Sequence, residues 1–112
     1  MKAGEYVKSG LKNFVEEILE GYENLGSAKE GCHRVEFYGK VENGVLKDVK
    51  YNSSKRCKKL LAIADLVAEK LKGQKVDNFK FNDDDILEFF DEEKDKKKMK
   101  DRLSIIKKAL NI

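Results

Sequence analysis

Val35-Glu36-Phe37-Tyr38-Gly39-Lys40-Val41-Glu42-Asn43-Gly44-Val45-Leu46-Lys47-Asp48-Val49-Lys50-Tyr51 is the stretch that decides the fold. Val35, Phe37, Gly39 and Val41 alternate with Glu36, Tyr38 and Lys40, which is the period of a strand with one covered face and one wet face. Alternation resumes after Asn43-Gly44 through Val45, Val49 and Tyr51. An Asn-Gly pair between two alternating runs is a strong hairpin signal, because both residues accept the left-handed backbone that a tight turn demands. The pattern predicts antiparallel strands over about 33–42 and 45–52.

Working outward, the period changes to that of helices. After the turn residues Asn52-Ser53-Ser54, which can cap a helix, a helix is expected over about 56–72. Leu60, Leu61, Ala64, Val67, Ala68 and Leu71 form its apolar stripe, and Gly73 ends it. Residues 74–82 read as a connector with Val76, Phe79 and Phe81 turned inward. Asn82 and the acidic run behind it start a short helix over 83–91, with acids at the positive end of its dipole. The charged residues from Asp91 to Lys100 read as a solvated turn, and Leu103, Ile106, Ala109 and Leu110 as the inner face of a last helix. Before the hairpin, Val7, Leu11, Phe14, Val15, Ile18, Leu19 and Tyr22 follow helical spacing over 5–22, and the small, polar residues 23–31 read as a loop. Helix, hairpin and three helices make an α+β fold in which helices cover one side of a small antiparallel sheet.

The 112 residues suit a single domain, 1–112. Charged residues make up 40% of them, against about a quarter in an ordinary domain. The 24 basic and 21 acidic residues nearly cancel to a net charge of +3, which does not by itself point to nucleic acid. No apolar run is long enough for a membrane helix, and the N-terminus lacks the apolar centre of a secretory signal. Two cysteines without an export signal suggest free thiols in a reducing cytoplasm.

The segment from Cys57 to Gly73 resembles the central helix of the iron–sulfur cluster assembly scaffolds, the family of the NifU N-terminal domain and IscU. There a cysteine opens the helix, an apolar stretch follows, and Lys-Gly closes it. Asn82 with Asp85-Ile86 is similar to the family's Asn-x-Asp-Ile helix start. Tyr22-Glu23-Asn24 resembles the end of its first helix, and Val41-Glu42-Asn43-Gly44 with Asp48-Val49 resembles its hairpin. The likeness covers roughly residues 14–110. The sulfur-transfer proteins of the SufE type share the fold, and their Gly-Cys at the first strand looks like Gly31-Cys32.

The resemblance implies a site at Cys32 and Cys57. In the family three cysteines, an aspartate after the first and often a histidine hold a cluster. Thiolates suit iron as soft anionic donors. Here Cys32 resembles the first ligand and Cys57 the second. His33-Arg34 stand where the aspartate is expected, and Arg56 and Lys58 replace the glycines around the second cysteine. The third cysteine is missing from the region of Lys97-Lys98-Met99-Lys100. With His33 as the one imidazole, a [2Fe–2S] cluster or a single Fe or Zn ion is the implied cargo, or none at all. Cys32 and Cys57 do not form the short Cys-x2-Cys spacing of zinc sites.

Three readings stay open. The first is a diverged scaffold that binds iron or sulfur transiently through Cys32 and Cys57 and is not a turnover enzyme. The second is a SufE-like acceptor of persulfide sulfur. Cys57 at a helix start among Arg56, Lys58 and Lys59 is placed as a nucleophile, and Cys32 in Gly-Cys-His offers a second. The third is an interaction module that kept the fold without the chemistry, with both cysteines as small hydrophobes. The expected partners are a cysteine desulfurase or other iron–sulfur assembly proteins. Lys97, Lys98 and Lys100 would dock an acidic partner surface unless the run is simply solvated. No aromatic platform accompanies it, as single-stranded nucleic acid would require.

Overall fold

A computed structural model describes all 112 residues. Its elements, in chain order, are α1 (Ala3–Lys8), β1 (Glu23–Glu30), β2 (His33–Glu42), β3 (Val45–Ser53), α2 (Lys58–Leu71), α3 (Asp83–Phe89) and α4 (Lys96–Leu110). The expected hairpin is β2–β3. Glu42 pairs with Val45 across a two-residue turn, and Asn43 and Gly44 both have positive φ, 54° and 76°. That is the primed turn whose twist matches the strands. Val35, Phe37, Leu46, Val49 and Tyr51 are fully buried. Arg34, Glu36 and Lys40 face away and are partly or fully exposed; Tyr38, expected on the wet face with them, is buried at 4% exposure, its hydroxyl donating to Glu36.

The sheet has three strands in the order β1-β2-β3, all antiparallel, so residues 23–30 are a strand where a loop was expected. Their sequence, Glu-Asn-Leu-Gly-Ser-Ala-Lys-Glu, is poor in the β-branched and aromatic residues that announce a strand. Tertiary pairing makes the strand. β1 lines up with β2 from Glu23↔Gly39 to Glu30↔His33, and α4 packs against it. Gly26 is what permits that approach. A Cβ added there would stand 1.8 Å from the Ala109 carbonyl oxygen, and its φ is +147°.

The long first helix is also corrected. α1 stops at Lys8, and Gly10 then adopts φ +109°. Ile18 and Leu19, which the helical stripe would bury, are 66% and 42% exposed, while Asn13 is fully buried. Residues 13–15 run parallel to β3 instead: the Val15 N–H donates to the Tyr51 carbonyl and the Tyr51 N–H to that of Asn13, both at 2.9 Å. The rest of this stretch carries the chain from the β3 edge to the β1 edge. Its spacing satisfied a helical template without a helical backbone behind it.

Helices α2 and α4 cover the apolar face of the sheet, and α1 lies against α2. The expected stripe of α2 is buried, joined by Ala62, Ile63 and Asp65, because neighbours enclose this helix on several sides. Val76, Phe79 and Phe81 pack on the core as expected. α3 ends two residues before the expected boundary. Within the expected solvated turn, α4 already starts at Lys96, with the Asp95 carboxyl accepting from the Lys98 N–H, a regular side-chain cap. No helix is long and apolar enough to cross a membrane.

A polar cluster fastens residues 6–22 to this frame. The Tyr6 hydroxyl and the Asn13 N–H donate to the fully buried Asp65 carboxyl at 2.7 and 2.8 Å. The Asn13 amide donates to Glu69, and Lys72 donates to both Asn13 and Glu69. The Tyr22 hydroxyl donates to Asp48, and that bond pushes its pKa up to about 12. Glu69 is held below its ordinary value, chiefly by the Lys72 bond, which overcomes burial with help from Asn13. For Asp48, burial pushes upward, but the Tyr22 hydroxyl, Lys50 and Lys72 prevail and lower it. Burial works against Lys72, yet Glu69 and Asp48 raise it.

Two predictions follow from this packing. Gly26→Ala should cost about 3 kcal/mol in urea denaturation through its clash with α4, whereas Gly21→Ala, with open space around it, should cost only about 1 kcal/mol of backbone strain. Equal losses would mean that β1 does not lie against α4. The second concerns pH. The lowered carboxyls contribute stability that is complete above their ordinary values, 3.8 for Asp48 and 4.5 for Glu69, and that is lost as pH falls through the lowered ones. The raised Lys72 contributes fully below 10.5 and loses its contribution as pH rises through its raised value. The contribution of these three groups, followed by stability against pH, should therefore be level between these limits, and Glu69→Gln should flatten the acid limb.

Candidate functional site

The site residues sit where the hairpin hands over to α2. Gly31, with φ +59°, turns the chain between β1 and β2 and leaves Cys32 exposed on the turn. Pairing with β2 continues one residue past the end of β3. The Ser54 N–H donates to the Arg34 carbonyl at 3.0 Å, and the Arg34 N–H donates to the Ser54 hydroxyl at 3.3 Å. This brings the segment entering α2 alongside the Cys32 turn. Cys57 is the N-cap of α2 in extended conformation, half-buried, and its side chain caps no backbone N–H. Ser53 and Ser54 do not cap the helix either: Ser53 donates to the Ser54 carbonyl, and Ser54 accepts from Arg34.

All three predicted residues come together. Cys32, His33 and Cys57 line one cleft of about 290 Å3 with Ser54, Arg56 and Arg102. Consecutive residues inside a strand point to opposite faces. Cys32 and His33 escape that rule because Cys32 belongs to the turn and His33 only begins β2.

Arg102 joins the site without having been expected there from the sequence. Its Nε–H donates to Cys57 Sγ at 3.3 Å. The available signal was helical period: Lys98 and Arg102, four apart on α4, share a face. The same period splits the basic run. Lys98 lines a second cleft of about 330 Å3 beside Cys57. Lys100 lies in a separate groove with Lys107 and Lys108. Lys97, Lys98 and Lys100 are exposed but do not form one patch.

The donor set does not fit a metal or a cluster. No three His, Cys, Asp or Glu side chains group closely enough to hold an ion. A guanidinium occupies the approach to Cys57 Sγ, and Arg56 and Arg102 line the space between the thiols and the imidazole. A cationic wall opposes a metal ion by simple repulsion. A [2Fe–2S] cluster, or a single Fe or Zn ion, would need its remaining ligands from another molecule. What the arrangement can do is hold an anionic sulfur: a donor hydrogen bond at the thiol, two guanidinium groups and a second thiol nearby.

The juxtaposition is open to a direct check. Dibromobimane, which bridges two nearby thiols, should crosslink Cys32 to Cys57 within one chain, and Cys32→Ser or Cys57→Ser should abolish the fluorescent product. A monofunctional maleimide should label exposed Cys32 first. Only intermolecular product would mean that the two thiols do not share the cleft.

No protein-family model matches this sequence, and no curated protein matches it. A solved structure does: that of a protein assigned as an iron–sulfur cluster assembly scaffold for the SUF system, from the thermophile Fervidobacterium islandicum. It is 18% identical, with a TM-score of 0.57 over 96% of this chain and 93% of that one. At that identity the likeness is one of fold, and it extends over nearly the whole length of both chains: the α+β architecture expected from the hairpin and the central helix is shared with that structure.

Proposed function

We propose that this chain is a scaffold-like protein of iron–sulfur assembly that handles sulfur rather than holding a cluster. The observation that carries the proposal is the Arg102 Nε–H donated to Cys57 Sγ, in a cleft that also holds Cys32 and His33 but where no three ligating side chains group closely enough to hold an ion. In this reading a cysteine desulfurase presents a persulfide, and Cys57 sulfur attacks its outer sulfur. The S–S bond of the donor breaks, its inner sulfur leaves as thiolate, and Cys57 carries the new persulfide. Arg102 orients Cys57 and balances negative charge on the outer sulfur. Cys32, exposed on the turn, can take the sulfur onward by the same exchange and regenerate the Cys57 thiolate. Each thiol carries one sulfur and hands it to a partner, so the protein is a carrier and not a turnover enzyme. Lys98, exposed beside the cleft, suits an acidic rim on the desulfurase.

Incubation with a cysteine desulfurase and L-cysteine, without iron, should add about 32 Da, one sulfur, to the intact chain. The adduct should disappear in Cys57→Ser and persist in Cys32→Ser. No adduct, together with stoichiometric iron and sulfide uptake on anaerobic reconstitution, would replace the carrier with a cluster scaffold completed by outside ligands. Neither adduct nor iron would leave a fold used only for protein contacts.

A further inference from the structure

Cys57 Sγ lies at the junction of two clefts. The first, about 290 Å3, is lined by Cys32, His33, Arg56 and Arg102 among others. The second, about 330 Å3, adds Lys58, Lys59 and Lys98 and has Glu93 as its one acid. Glu93 is already engaged, by Lys59 at 3.5 Å and by the Ala3 N–H at 2.7 Å. Arg56, Lys58, Lys98 and Arg102 take part in none of the ion pairs of the molecule. Four unpaired cations from the loop before α2, the first turn of α2, and α4 thus surround one half-buried sulfur. The first turn of α2 contains no acid to offset them. Other cations near folded elements are paired, as in Lys72 with Glu69 and Asp48, or Lys107 with Asp83, while many exposed lysines are not; what sets these four apart is that they converge on one sulfur.

Like charges drawn together around a cleft repel one another, and an anion that enters relieves this. The clefts admit a molecule of small-metabolite size, and the sulfur inside is less open than Cys32 on its turn. We infer that these clefts bind a low-molecular-weight persulfide bearing one or more carboxylates, and that Cys57 takes its outer sulfur directly. This rests on the sulfur-carrier reading above and adds a donor to it. The carboxylates meet Arg56, Lys58 and Lys98, and the outer sulfur meets Cys57 Sγ beside Arg102. The Cys57 thiolate and R–S–SH give Cys57–S–SH and R–S⁻: one S–S bond forms as another breaks, the proton stays on the transferred sulfur, and no outside oxidant or reductant is needed.

The test uses the full reduced chain and two donors, glutathione persulfide, which carries carboxylates, and the persulfide of 2-mercaptoethanol, which carries none. Sulfur addition to Cys57 is timed by intact mass in the Cys32→Ser background. The anionic donor should react faster by about tenfold or more at low salt, through its attraction to the cations. Added sulfate should erode that advantage, and the Arg56→Gln/Lys98→Gln pair, neither of which bonds the thiol, should cut the ratio of the two rates severalfold. Lys107→Gln, remote and paired with Asp83, should keep the ratio. Equal rates for the two donors, a ratio unmoved by the double substitution, or no addition from either donor would each overturn the inference. Loading of Cys57 by a desulfurase in the same protein would show that the carrier reading survives that failure, and its absence would show that both have fallen.

Discussion

Asp65 is the acid around which the structure is organised. It lies in the middle of α2, fully buried, and a carboxyl in that position is tolerable only if its oxygens are satisfied. The Tyr6 hydroxyl and the Asn13 N–H satisfy them. Tyr6 is correspondingly held protonated, its pKa raised by burial first and by the bond to Asp65 second. These bonds draw residues 6–13 onto α2. From there residues 13–15 can pair beside β3 and the chain can reach the start of β1. Asp65 thus fixes where the chain leaves α1 and crosses beside β3 before it turns back to β1.

The same constraint explains why residues 5–22 misled a reading by period. Phe14 and Leu11 do pack against the core, so the apolar positions were meaningful. Asn13 is the residue that the helical wheel treats as incidental, and it is completely buried because it serves Asp65, Glu69 and Lys72 at once. A buried asparagine satisfying a distant acid leaves no periodic trace. β1 is invisible for a related reason. Its identity rests on Gly26, which is small enough to let α4 approach, and a lone glycine in a polar stretch reads as loop.

At the site, resemblance and geometry divide the work. Likeness to a scaffold family identified Cys32 and Cys57 in a chain whose cysteines share no local motif, and the fold brings them to one cleft. Arg56, Lys58, Lys98 and Arg102 line the clefts around Cys57. Where thiolate ligands would gather around a cation, this chain sets guanidinium groups beside a thiol. In the sulfur-carrier reading proposed above, these groups favour an anion over a metal ion.

By itself the sequence determined what is local. It set the Asn43-Gly44 hairpin, because few residues accept that turn. It set α2, because its apolar stripe is long and regular, and the acidic start of α3, because a helix N-terminus favours negative charge. Only the tertiary structure decided what depends on partners far along the chain: β1, made a strand by β2 and α4; the extended course of residues 13–15, made by Asp65 and Tyr51; and the bond from Arg102 to Cys57, which spans 45 positions. Period and propensity report on neighbours a few residues away. Contacts across the core follow from how finished elements pack, and no short window of sequence contains them.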